Sequence, residues 1–385
     1  MKNILLISPF FYPEPISTGK YNTDLVKELV REGHKLTVVC SHPIYPDWQV
    51  NDSNKTLDGV EIIRGGIHIK YPKNNLIRRL ILELWFAFFV FRKVIKLRKK
   101  IDIIIPIFPP SLAFALIIKL FSAEVKKVGV VHDLQSVFIS KDQGLFKSFL
   151  TFCIKNIEKF GFNSCDKLIL LSHEMKDNVN NKYKIDSKKL FVQYPFTNLS
   201  NIVTNDLQNL FDENYKHVVY SGALGEKQNP LGLLSFLDYA SRSIKSVKFH
   251  IYSSGTIFND LKKRNLNKDI NFHDLVPFKN VRELYERSDV QIIPQKVGTS
   301  GGSLPSKLPN LVDSNCKLLL ITDKDSEIQQ LFENYNLGGV ITEWNNKLLL
   351  TMLENILFKV KENEIIKSNF VRELFSIKSL VKKII

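Results

Sequence analysis

Two successive series of short apolar runs, each run followed by a helical pattern, constrain the fold of this chain more than any other feature. Several runs are continuously apolar rather than alternating, which is typical of parallel strands buried on both faces. The pattern predicts an α/β fold of two doubly wound, Rossmann-like domains. The strands expected in the first series are Ile4–Ser8, Leu36–Cys40, Val60–Ile63, Ile101–Ile105, Val128–Val131 and Lys167–Leu171. The strands expected in the second series are His217–Ser221, Phe249–Tyr252, Ile270–Phe272, Val290–Ile293 and Leu318–Thr322.

A polar, Asn-rich stretch from Tyr194 to Tyr215 separates the two series and has the composition of an interdomain linker. We therefore expect a first domain over residues 1–197 and a second over residues 198–365. A final helix at about 366–385 can pack back on the first domain. Because ligands of doubly wound sheets bind at the carboxyl ends of the strands, two such domains facing each other would enclose a cleft.

The cysteine pattern and the hydropathy exclude several classes of protein. The four cysteines form no CxxC pair, so zinc ribbons and thioredoxin chemistry find no support. We expect free thiols in a reducing compartment. No signal peptide or transmembrane helix is predicted. The most apolar helical segment, Ile81–Phe91, contains Glu83 and covers about half of the roughly 20 residues that a bilayer needs.

Basic residues are concentrated in the first half of the chain. The net charge is +15, and residues 1–200 hold 30 Lys and Arg against 18 Asp and Glu. Between Leu76 and Lys100, eight basic residues adjoin a cluster of Trp and Phe, which favours a helix that docks on an anionic membrane surface. The alternative is an amphipathic helix that packs on the sheet with solvated Lys and Arg. The residues expected to bind the membrane are Arg78, Arg79, Trp85, Arg92, Lys93, Lys96 and Arg98.

Nucleic acid is the other partner that a basic chain can have, but we find no recognised nucleic-acid-binding module in the sequence. We therefore expect no nucleic acid among the partners.

In the first domain, two segments place polar groups at the ends of predicted strands. Gly19 lies where the loop after the first strand meets a helix, and free amides there favour a phosphate or sugar oxygen. A structural turn is the alternative. His132 and Asp133 follow another strand and would face the expected cleft. A surface turn with an Asp cap is the alternative.

In the second domain, two loops carry candidate residues for binding phosphate. Gly222, Gly225 and Lys227 follow the first strand of the second series, and a lysine beside a helix start can neutralise a diphosphate. A later loop after Val290–Ile293 combines backbone amides, hydroxyls and a cation, which suits the phosphates of a nucleotide sugar. A flexible linker is the alternative. The candidates in this later loop are Gly302, Ser303, Ser306 and Lys307.

Taken together, these segments resemble the retaining glycosyltransferases of family 4, which have the two-domain GT-B fold. The resemblance covers nearly the whole chain and is strongest to the branch that builds bacterial O-antigens, capsules and colanic acid. The strings that carry it are Gly33–Val39, Pro109–Ser111, Val131–Leu134, Ser221–Gly222, Gly225–Gln228 and Pro305–Leu308.

The chain departs from the family pattern at two places in the second domain. Ala223 and Leu224 occupy the region where many members pair an Arg with the phosphate-binding Lys. The two family glutamates, seven residues apart, are missing, and Gly301–Ser303 and Asn310 lie roughly where they would fall. Since one of those glutamates usually holds the nucleotide ribose, ribose recognition must differ here.

The resemblance implies transfer of a sugar, with retention at the anomeric carbon and with no metal ion or cofactor. We expect the donor to be a UDP-sugar and the acceptor to be a lipid-diphosphate-linked sugar. The first domain would bind the acceptor and the second the donor. The expected location is the cytoplasm, peripheral on the inner face of the bacterial plasma membrane.

The resemblance also implies a role for each candidate residue. Lys227, Ser306 and Lys307 would stabilise the charge on the leaving diphosphate. His132 would bond the donor sugar or its departing bridge, and Asp133 would orient that region or the acceptor.

Two other functions stay open on the residues alone. A GT-B-fold sugar-nucleotide epimerase or hydrolase would share the cleft, but it predicts paired carboxylates for proton transfer. A non-catalytic protein that binds a sugar or a membrane would be consistent with the missing glutamates.

Overall fold

The chain folds into two compact domains in the computed structural model. The first domain comprises Met1–Tyr194 and Ile377–Ile385, and the second comprises Pro195–Ser376. The structure describes residues 1–14, 16–45, 47–72, 74–134, 145–199, 202–300, 304–314, 316–359 and 369–385.

The first domain is built on a parallel sheet. Its strands are β1 (Asn3–Ile7), β2 (Lys35–Ser41), β3 (Val60–Gly65), β4 (Ile103–Phe108), β5 (Lys126–Val131), β6 (Lys167–Leu170) and β7 (Leu190–Val192). Within the described residues the sheet has seven strands in the order β3-β2-β1-β4-β5-β6-β7, and every pair is parallel. The order reverses between β1 and β4, so a crevice is expected at the carboxyl ends of these two strands.

The helices of the first domain include one that returns from the end of the chain. They are α1 (Ser17–Arg31), α2 (Asn75–Leu97), α3 (Leu112–Ile117), α4 (Leu145–Asn163), α5 (His173–Tyr183) and α13 (Ile377–Ile384). Helix α13 packs against α1 and buries Leu380, Val381 and Ile384 completely. Helix α2 buries Phe86, Val90 and Val94 at a spacing of four residues, which places them on one face of the helix.

The second domain repeats the same strand order. Its strands are β8 (Lys216–Ser221), β9 (Val247–Tyr252), β10 (Ile270–His273), β11 (Val290–Pro294), β12 (Lys317–Ile321) and β13 (Gly339–Ile341). Among the described residues they form a six-stranded parallel sheet in the order β10-β9-β8-β11-β12-β13. Here the order reverses between β8 and β11.

The helices of the second domain lie between Pro230 and Leu374. They are α6 (Pro230–Ser243), α7 (Thr256–Arg264), α8 (Val281–Glu286), α9 (Leu308–Asp313), α10 (Glu327–Tyr335), α11 (Asn346–Glu354) and α12 (Asn369–Leu374), and a π-helical turn, Asn355–Lys359, extends α11.

The prediction of two doubly wound α/β domains is confirmed, and each strand expected from the sequence is present to within two or three residues at its ends. The sequence analysis missed β7 and β13. Each has three residues and lies at a sheet edge, where burial is partial. Their apolar runs are only three residues long or shorter, whereas several of the other strands are predicted from longer continuous runs.

The polar stretch after Tyr194, which has the composition of an interdomain linker, makes several contacts with the second domain. The buried carboxylate of Glu283 on α8 accepts hydrogen bonds from the Thr204 hydroxyl at 2.7 Å and from the Leu207 amide at 3.1 Å. The guanidinium of Arg287 pairs with the same carboxylate at 2.7 Å. These contacts pack the stretch against the second domain.

Candidate functional site

A cavity of about 330 Å³ opens at the carboxyl ends of β8 and β11, where the strand order of the second domain reverses. This is the position at which doubly wound sheets bind their ligands. The described residues that line it come from the loops after these two strands. They include Ser221, Gly222, Ala223, Lys227, Gln228, Gln295, Thr299, Pro305, Ser306 and Lys307.

The loop after β8 brings Gly222 and Lys227 to the cavity, while Gly225 shapes the turn between them. Gly222 has φ +128°, a conformation that L side chains rarely adopt. The Gly225 amide donates to Oε1 of Gln228 at 2.9 Å, which closes the short 3₁₀ turn that carries Lys227. The Lys227 side chain is exposed and forms no ion pair within the described part of the chain. Its charge is therefore available to a ligand.

Lys307 lines the cavity and is partly buried. Its Nζ donates to the carbonyl of Ile292 at 2.9 Å and to the carbonyl of Ser221 at 3.2 Å. The ammonium also lies 4.4 Å from the centroid of the Tyr220 ring. Burial lowers the pKa of Lys307 to about 7, against a smaller opposing effect of Cys316. Lys307 thus joins the ends of β8 and β11 as well as lining the cavity.

Ser306 and Lys307 immediately precede a short helix. Ser306 is exposed and lines the cavity, and Lys307 occupies the N-capping position of α9, which begins at Leu308 and has six residues. Gly302 and Ser303 lie outside the described residues.

Asp323 is a site residue that the sequence analysis missed. Its carboxylate accepts from the amides of Gly298 at 2.8 Å and Ser300 at 3.1 Å. Burial opposes ionisation, but these backbone bonds outweigh it and hold the pKa of Asp323 below its usual value. Asp323 follows β12 by two residues, and only its place beside the β11 loop reveals that it anchors one wall of the cavity.

Asn310, which stands roughly where a family glutamate would fall, is engaged within the second domain. Its Oδ1 accepts from the Thr197 hydroxyl at 3.1 Å and from the Asn198 amide at 3.0 Å. Its Nδ2 donates to Oδ1 of Asn198 at 3.0 Å. Asn310 therefore holds the start of the second domain against α9.

A second cavity of about 330 Å³ lies in the first domain at the equivalent place, the carboxyl ends of β1 and β4. Its described lining combines charged, aromatic and apolar groups. Prominent among them are Phe10, Thr18, Trp48, Arg78, Arg79, Glu83, Pro110, His132 and Asp133. The structure thus brings the predicted pair His132 and Asp133 together with two arginines that the sequence analysis had assigned to the membrane surface.

The Nε2 atom of His132 is buried and has no hydrogen-bond partner among the described residues. The ring contacts Tyr21 edge to face, with centroids 4.5 Å apart. Burial lowers the pKa of His132 to about 4, so the imidazole is neutral at physiological pH. Asp133 accepts from the Leu134 amide at 3.0 Å through Oδ1.

Gly19, where the sequence predicts a contact to a phosphate or sugar oxygen of the donor, lies in the first turn of α1. A Cβ atom at this position would lie 2.9 Å from the carbonyl oxygen of Glu14. The glycine is therefore required by the approach of Glu14, whose buried carboxylate accepts from the amides of Ile44 at 2.9 Å and Tyr45 at 2.8 Å. The geometry gives Gly19 a role in shaping the loop.

The seven residues predicted to bind the membrane fall into separate groups. Arg78 and Arg79 line the first-domain cavity. Trp85 is partly buried, and its indole N–H donates to the hydroxyl of Tyr71 at 2.5 Å. Trp85 therefore contacts Tyr71 through its indole N–H and is only partly exposed. The other four lie along the C-terminal half of α2 and just beyond it, with the first three exposed: Arg92, Lys93, Lys96 and Arg98.

The described residues contain neither a metal-binding cluster nor a membrane-spanning helix. No three His, Cys, Asp or Glu side chains in the described ranges lie close enough to bind one metal ion. None of the described helices combines the length and the apolar character needed to cross a bilayer.

The chain is similar to known glycosyltransferases. Residues 18–201 match the family model Glycosyltransferase Family 4. The chain is 24% identical to the protein named as a colanic acid biosynthesis glycosyl transferase, WcaI, of Escherichia coli strain K12, over 97% of this chain and 98% of WcaI.

Two solved structures are similar over nearly the whole chain. WaaG, a glycosyltransferase involved in lipopolysaccharide biosynthesis, has a TM-score of 0.67 at 13% identity, and the match covers 99% of this chain and 98% of WaaG. A protein of Listeria monocytogenes named as a UDP-N-acetylglucosamine 2-epimerase has a TM-score of 0.63 at 11% identity, covering 98% of this chain and 94% of that protein. These likenesses confirm the predicted GT-B fold. They do not distinguish transfer from epimerisation, because both activities occur on this fold.

Proposed function

We propose that the protein is a metal-independent, retaining glycosyltransferase of bacterial surface polysaccharide synthesis. It transfers a hexosyl or N-acetylhexosaminyl group from a UDP-sugar to a lipid-diphosphate-linked acceptor. The observation that carries the proposal is the cavity between β8 and β11, into which Lys227, Ser306 and Lys307 converge. The family match over residues 18–201 and the likeness to WcaI support glycosyl transfer in polysaccharide synthesis as the reaction class.

The chemistry of the leaving group explains why cations are needed in this cavity. When the bond between sugar and nucleotide breaks, negative charge grows on the diphosphate. Pre-positioned cations and dipoles stabilise such charge without reorganising. The exposed ammonium of Lys227 meets this need most directly, since no residue of the described part neutralises it.

Lys307 has a different role in the proposed mechanism. Its Nζ binds the two carbonyls at the strand ends, so it holds the loops after β8 and β11 in place. Its lowered pKa means that the ammonium is only partly charged near neutral pH. A diphosphate above it would favour the charged form, because an opposite charge raises the pKa of a lysine.

The described lining of the second-domain cavity contains no carboxylate. An epimerase or hydrolase acting through paired carboxylates would need acids close to the donor sugar. Transfer driven by stabilisation of the leaving diphosphate needs none in this cavity, and we therefore place transfer ahead of the alternatives.

An exposed apolar stripe on the first domain supports a lipid-linked acceptor. The exposed apolar residues of α2 follow each other at intervals of seven, four and seven residues, which places them on one stripe of the helix. They are Ile77, Leu84, Phe88 and Ile95. Leu84 and Phe88 are each 62% exposed, and the guanidinium of Arg92 lies 5.7 Å from the Phe88 ring centroid.

Neighbouring helices of the first domain also carry exposed apolar residues. Helix α3 packs on α2 and on α4. Leu116 on α3 is exposed, as are Phe152 and Phe160 on α4. We call the exposed apolar residues of these three helices the α2–α4 surface. Apolar side chains beside exposed Arg and Lys match the interface of an anionic leaflet. We therefore place the protein in the cytoplasm, peripheral on the inner face of the plasma membrane.

The donor can be identified by thermal-shift measurements with UDP, GDP and dTDP. We expect UDP to raise the melting temperature most, and a larger shift with GDP or dTDP would replace UDP as the donor nucleotide. Incubation with UDP-sugars and a short-chain prenyl diphosphate sugar should then yield a disaccharide product with retained anomeric configuration, read by NMR.

The same reaction distinguishes the alternatives. Solvent deuterium appearing at C2 of the donor sugar without acceptor would indicate an epimerase. Equal UDP release with and without acceptor would indicate a hydrolase. Nucleotide binding without any turnover would indicate a non-catalytic protein.

A further inference from the structure

Two glutamines that the proposed function does not yet use line the second-domain cavity. Gln228 lies in the loop after β8, and Gln295 directly follows β11. The two loops are joined beside these residues, because the Lys296 amide donates to the carbonyl of Lys227 at 2.7 Å. Each glutamine is therefore next in sequence to a residue of this bond, and the two side chains line the cavity from adjoining loops.

A backbone amide fixes which end of the Gln228 side chain is free. The Gly225 amide donates to Oε1 of Gln228 at 2.9 Å. Since a backbone N–H can only donate, the side-chain atom that faces it must be the oxygen. The Nε2 atom of Gln228 has no hydrogen-bond partner within the described part of the chain, so its two N–H groups are available to a ligand.

A hydroxyl group orients the Gln295 side chain in the same way. The Thr322 hydroxyl lies 2.6 Å from Oε1 of Gln295, a distance typical of O–H···O bonds and shorter than the about 2.7–3.2 Å of N–H···O bonds. The hydroxyls of Ser300 and Ser326 lie 2.8 and 3.0 Å from the Thr322 oxygen and can donate to it, which leaves the Thr322 proton for Gln295. The Nε2 atom of Gln295 likewise has no partner among the described residues.

The polar side-chain groups at this cavity suit a ligand whose atoms accept hydrogen bonds. Lys227 and Lys307 supply ammonium groups, the two glutamines supply neutral N–H groups, and the described lining contains no carboxylate. Ionised phosphate oxygens only accept, whereas the hydroxyl groups of a sugar both donate and accept. This set of donors therefore fits a diphosphate better than a sugar.

We propose that Gln228 and Gln295 bind the diphosphate of the donor through their side-chain N–H groups, and that Thr322 is the positioning residue of Gln295. The assignment rests on the proposed function, since the diphosphate would be that of the nucleotide sugar. Neutral donors add hydrogen bonds to the leaving group without adding charge repulsion to the two ammonium groups.

The test is titration calorimetry with whichever of UDP, GDP and dTDP raises the melting temperature of the wild type most. Gln228→Met and Gln295→Met remove the N–H groups together with the oxygen. Gln228→Glu and Gln295→Glu keep an oxygen that can accept from Gly225 or Thr322 and replace the N–H groups by a second oxygen. We expect each of the four variants to weaken binding by about tenfold to a hundredfold, the usual effect of a lost hydrogen bond to a charged group.

The two kinds of variant distinguish a ligand of the diphosphate from a structural group. If only the Met variants bind weakly, the glutamines act as acceptors within their loops and the assignment is wrong. A loss in the Glu variants alone that disappears at 1 M salt, where the Debye length is about 3 Å, would come from charge repulsion and would also overturn it. Unchanged affinity in all four variants would do the same.

Gln330→Glu is the matched control, since it makes the same change at an exposed glutamine on α10, outside the described cavity lining. It should bind the nucleotide as the wild type does. Thr322→Val should weaken binding severalfold because Gln295 loses its anchor, and Thr322→Ser should restore binding because the hydroxyl is kept. Wild-type affinity in Thr322→Val would remove Thr322 as a positioning residue.

The proposed function fails separately from this assignment. If the glutamine variants lose nucleotide affinity but the wild type transfers no sugar from any nucleotide sugar, the diphosphate site stands and the transferase does not. If transfer proceeds with an unchanged donor KM in all four variants, the transferase stands and the two glutamines are not ligands.

Discussion

The Nε2 atom of His250 lies 3.0 Å from the Nδ1 atom of His217, and the two buried imidazoles belong to the adjacent strands β9 and β8. The chain of rings continues on both sides. His250 Nδ1 lies 3.0 Å from Nε2 of His273 on β10, and His217 Nε2 lies 3.0 Å from the carbonyl of Asp212. Three histidines thus form a hydrogen-bonded row across the second sheet.

The row fixes the position of each proton. A carbonyl oxygen can only accept, so His217 must donate from Nε2 and accept at Nδ1. His250 then donates from Nε2 and accepts at Nδ1, and His273 donates from Nε2. Protonation of His250 would place two N–H groups against each other. Burial and the neighbouring His273 and His217 accordingly lower the pKa of His250 to about 3.

The first prediction is that the second domain loses stability as the pH falls below about 6.5. The unfolded chain takes up the His250 proton near pH 6.5, whereas the folded chain does so only near pH 3. The free energy of unfolding of the second domain is therefore at its full value above pH 6.5. Between pH 6.5 and pH 3 it declines as the pH falls, by about 1.4 kcal/mol per pH unit for one histidine. Urea unfolding at pH 7.5, 6.0 and 5.0 measures this decline in the free energy of unfolding.

His250→Phe should be less stable at pH 7.5 but show a shallower dependence on pH. His68→Gln, which changes a histidine with a side chain 67% exposed, should keep the wild-type slope. An unaltered slope in His250→Phe would rule out the row as the origin of the effect.

The second prediction concerns Lys227. Lys227→Ala should preserve the fold, because the side chain is exposed and its contacts to other described residues run through its carbonyl, which accepts from the amide of Lys296 at 2.7 Å and the hydroxyl of Thr299 at 3.4 Å. Turnover with saturating donor should fall by about a hundredfold to a thousandfold, as when a donor to a developing oxyanion is removed. Lys262→Ala on α7, an exposed lysine outside the cavity lining, should leave it unchanged. Wild-type turnover in Lys227→Ala would exclude the lysine from the mechanism.

The third prediction is that UDP binding takes up a proton above pH 7. Free Lys307 has a pKa of about 7, so at pH 8 it is mostly neutral, and a diphosphate beside it would restore the charge. Titration calorimetry at pH 8 in Tris and in HEPES, whose ionisation enthalpies differ, measures the uptake. Lys307→Met should abolish the uptake while a second, weaker UDP contact through Lys227 persists. Equal apparent enthalpies in the two buffers for the wild type would show that the phosphates lie away from Lys307.

The fourth prediction separates apolar from ionic contributions to membrane binding. Wild-type protein should co-sediment with anionic liposomes at low salt and less so at 1 M salt, where the Debye length is about 3 Å. The double variant Leu84→Ser with Phe88→Ser should lose binding at both salt concentrations. Reversal of Arg92, Lys93, Lys96 and Arg98 to Glu should abolish binding to anionic liposomes and leave UDP binding intact.

Leu231→Ser is the control for that experiment, because it removes an exposed leucine, 58% accessible, from the second domain. Binding in the control should match the wild type. If the wild-type protein does not co-sediment with anionic liposomes at low salt, the α2–α4 surface is exposed to solvent and does not bind membranes. The lipid-linked acceptor would then be removed from the proposal.

The sequence predicts the central strands well because burial on both faces requires continuous apolar runs, as in β4, which is buried throughout. It also predicts which loops follow the strand ends. It does not predict contacts that depend on the order of strands in space. From the sequence, Lys307 is predicted to be a cation that binds phosphate. Its hydrogen bonds to the carbonyls of Ser221 and Ile292 arise because β8 and β11 are neighbours in the sheet, although about 70 residues separate these strands in the chain.

The arginines of α2 show the same limit. A helical pattern of basic and aromatic residues indicates an amphipathic helix, but not which residues reach the end of the sheet. Arg78 and Arg79 lie at the end of α2 that meets the crevice between β1 and β4. Trp85 turns inward to Tyr71, while Phe88 stays exposed. Charge and aromaticity in the sequence alone do not show which of these side chains line the cavity, which turn inward and which stay exposed.

The return of α13 to the first domain has a consequence for any attempt to divide the protein. A gene fragment ending at Tyr194 would encode every strand of the first sheet, yet it would leave open the groove that Leu380, Val381 and Ile384 fill. Lys383 also donates to the carbonyl of Val192 at 2.9 Å, beside the edge strand β7. The first domain is thus completed only after the second has been translated. On the ribosome, its final packing must wait for residues 377–385.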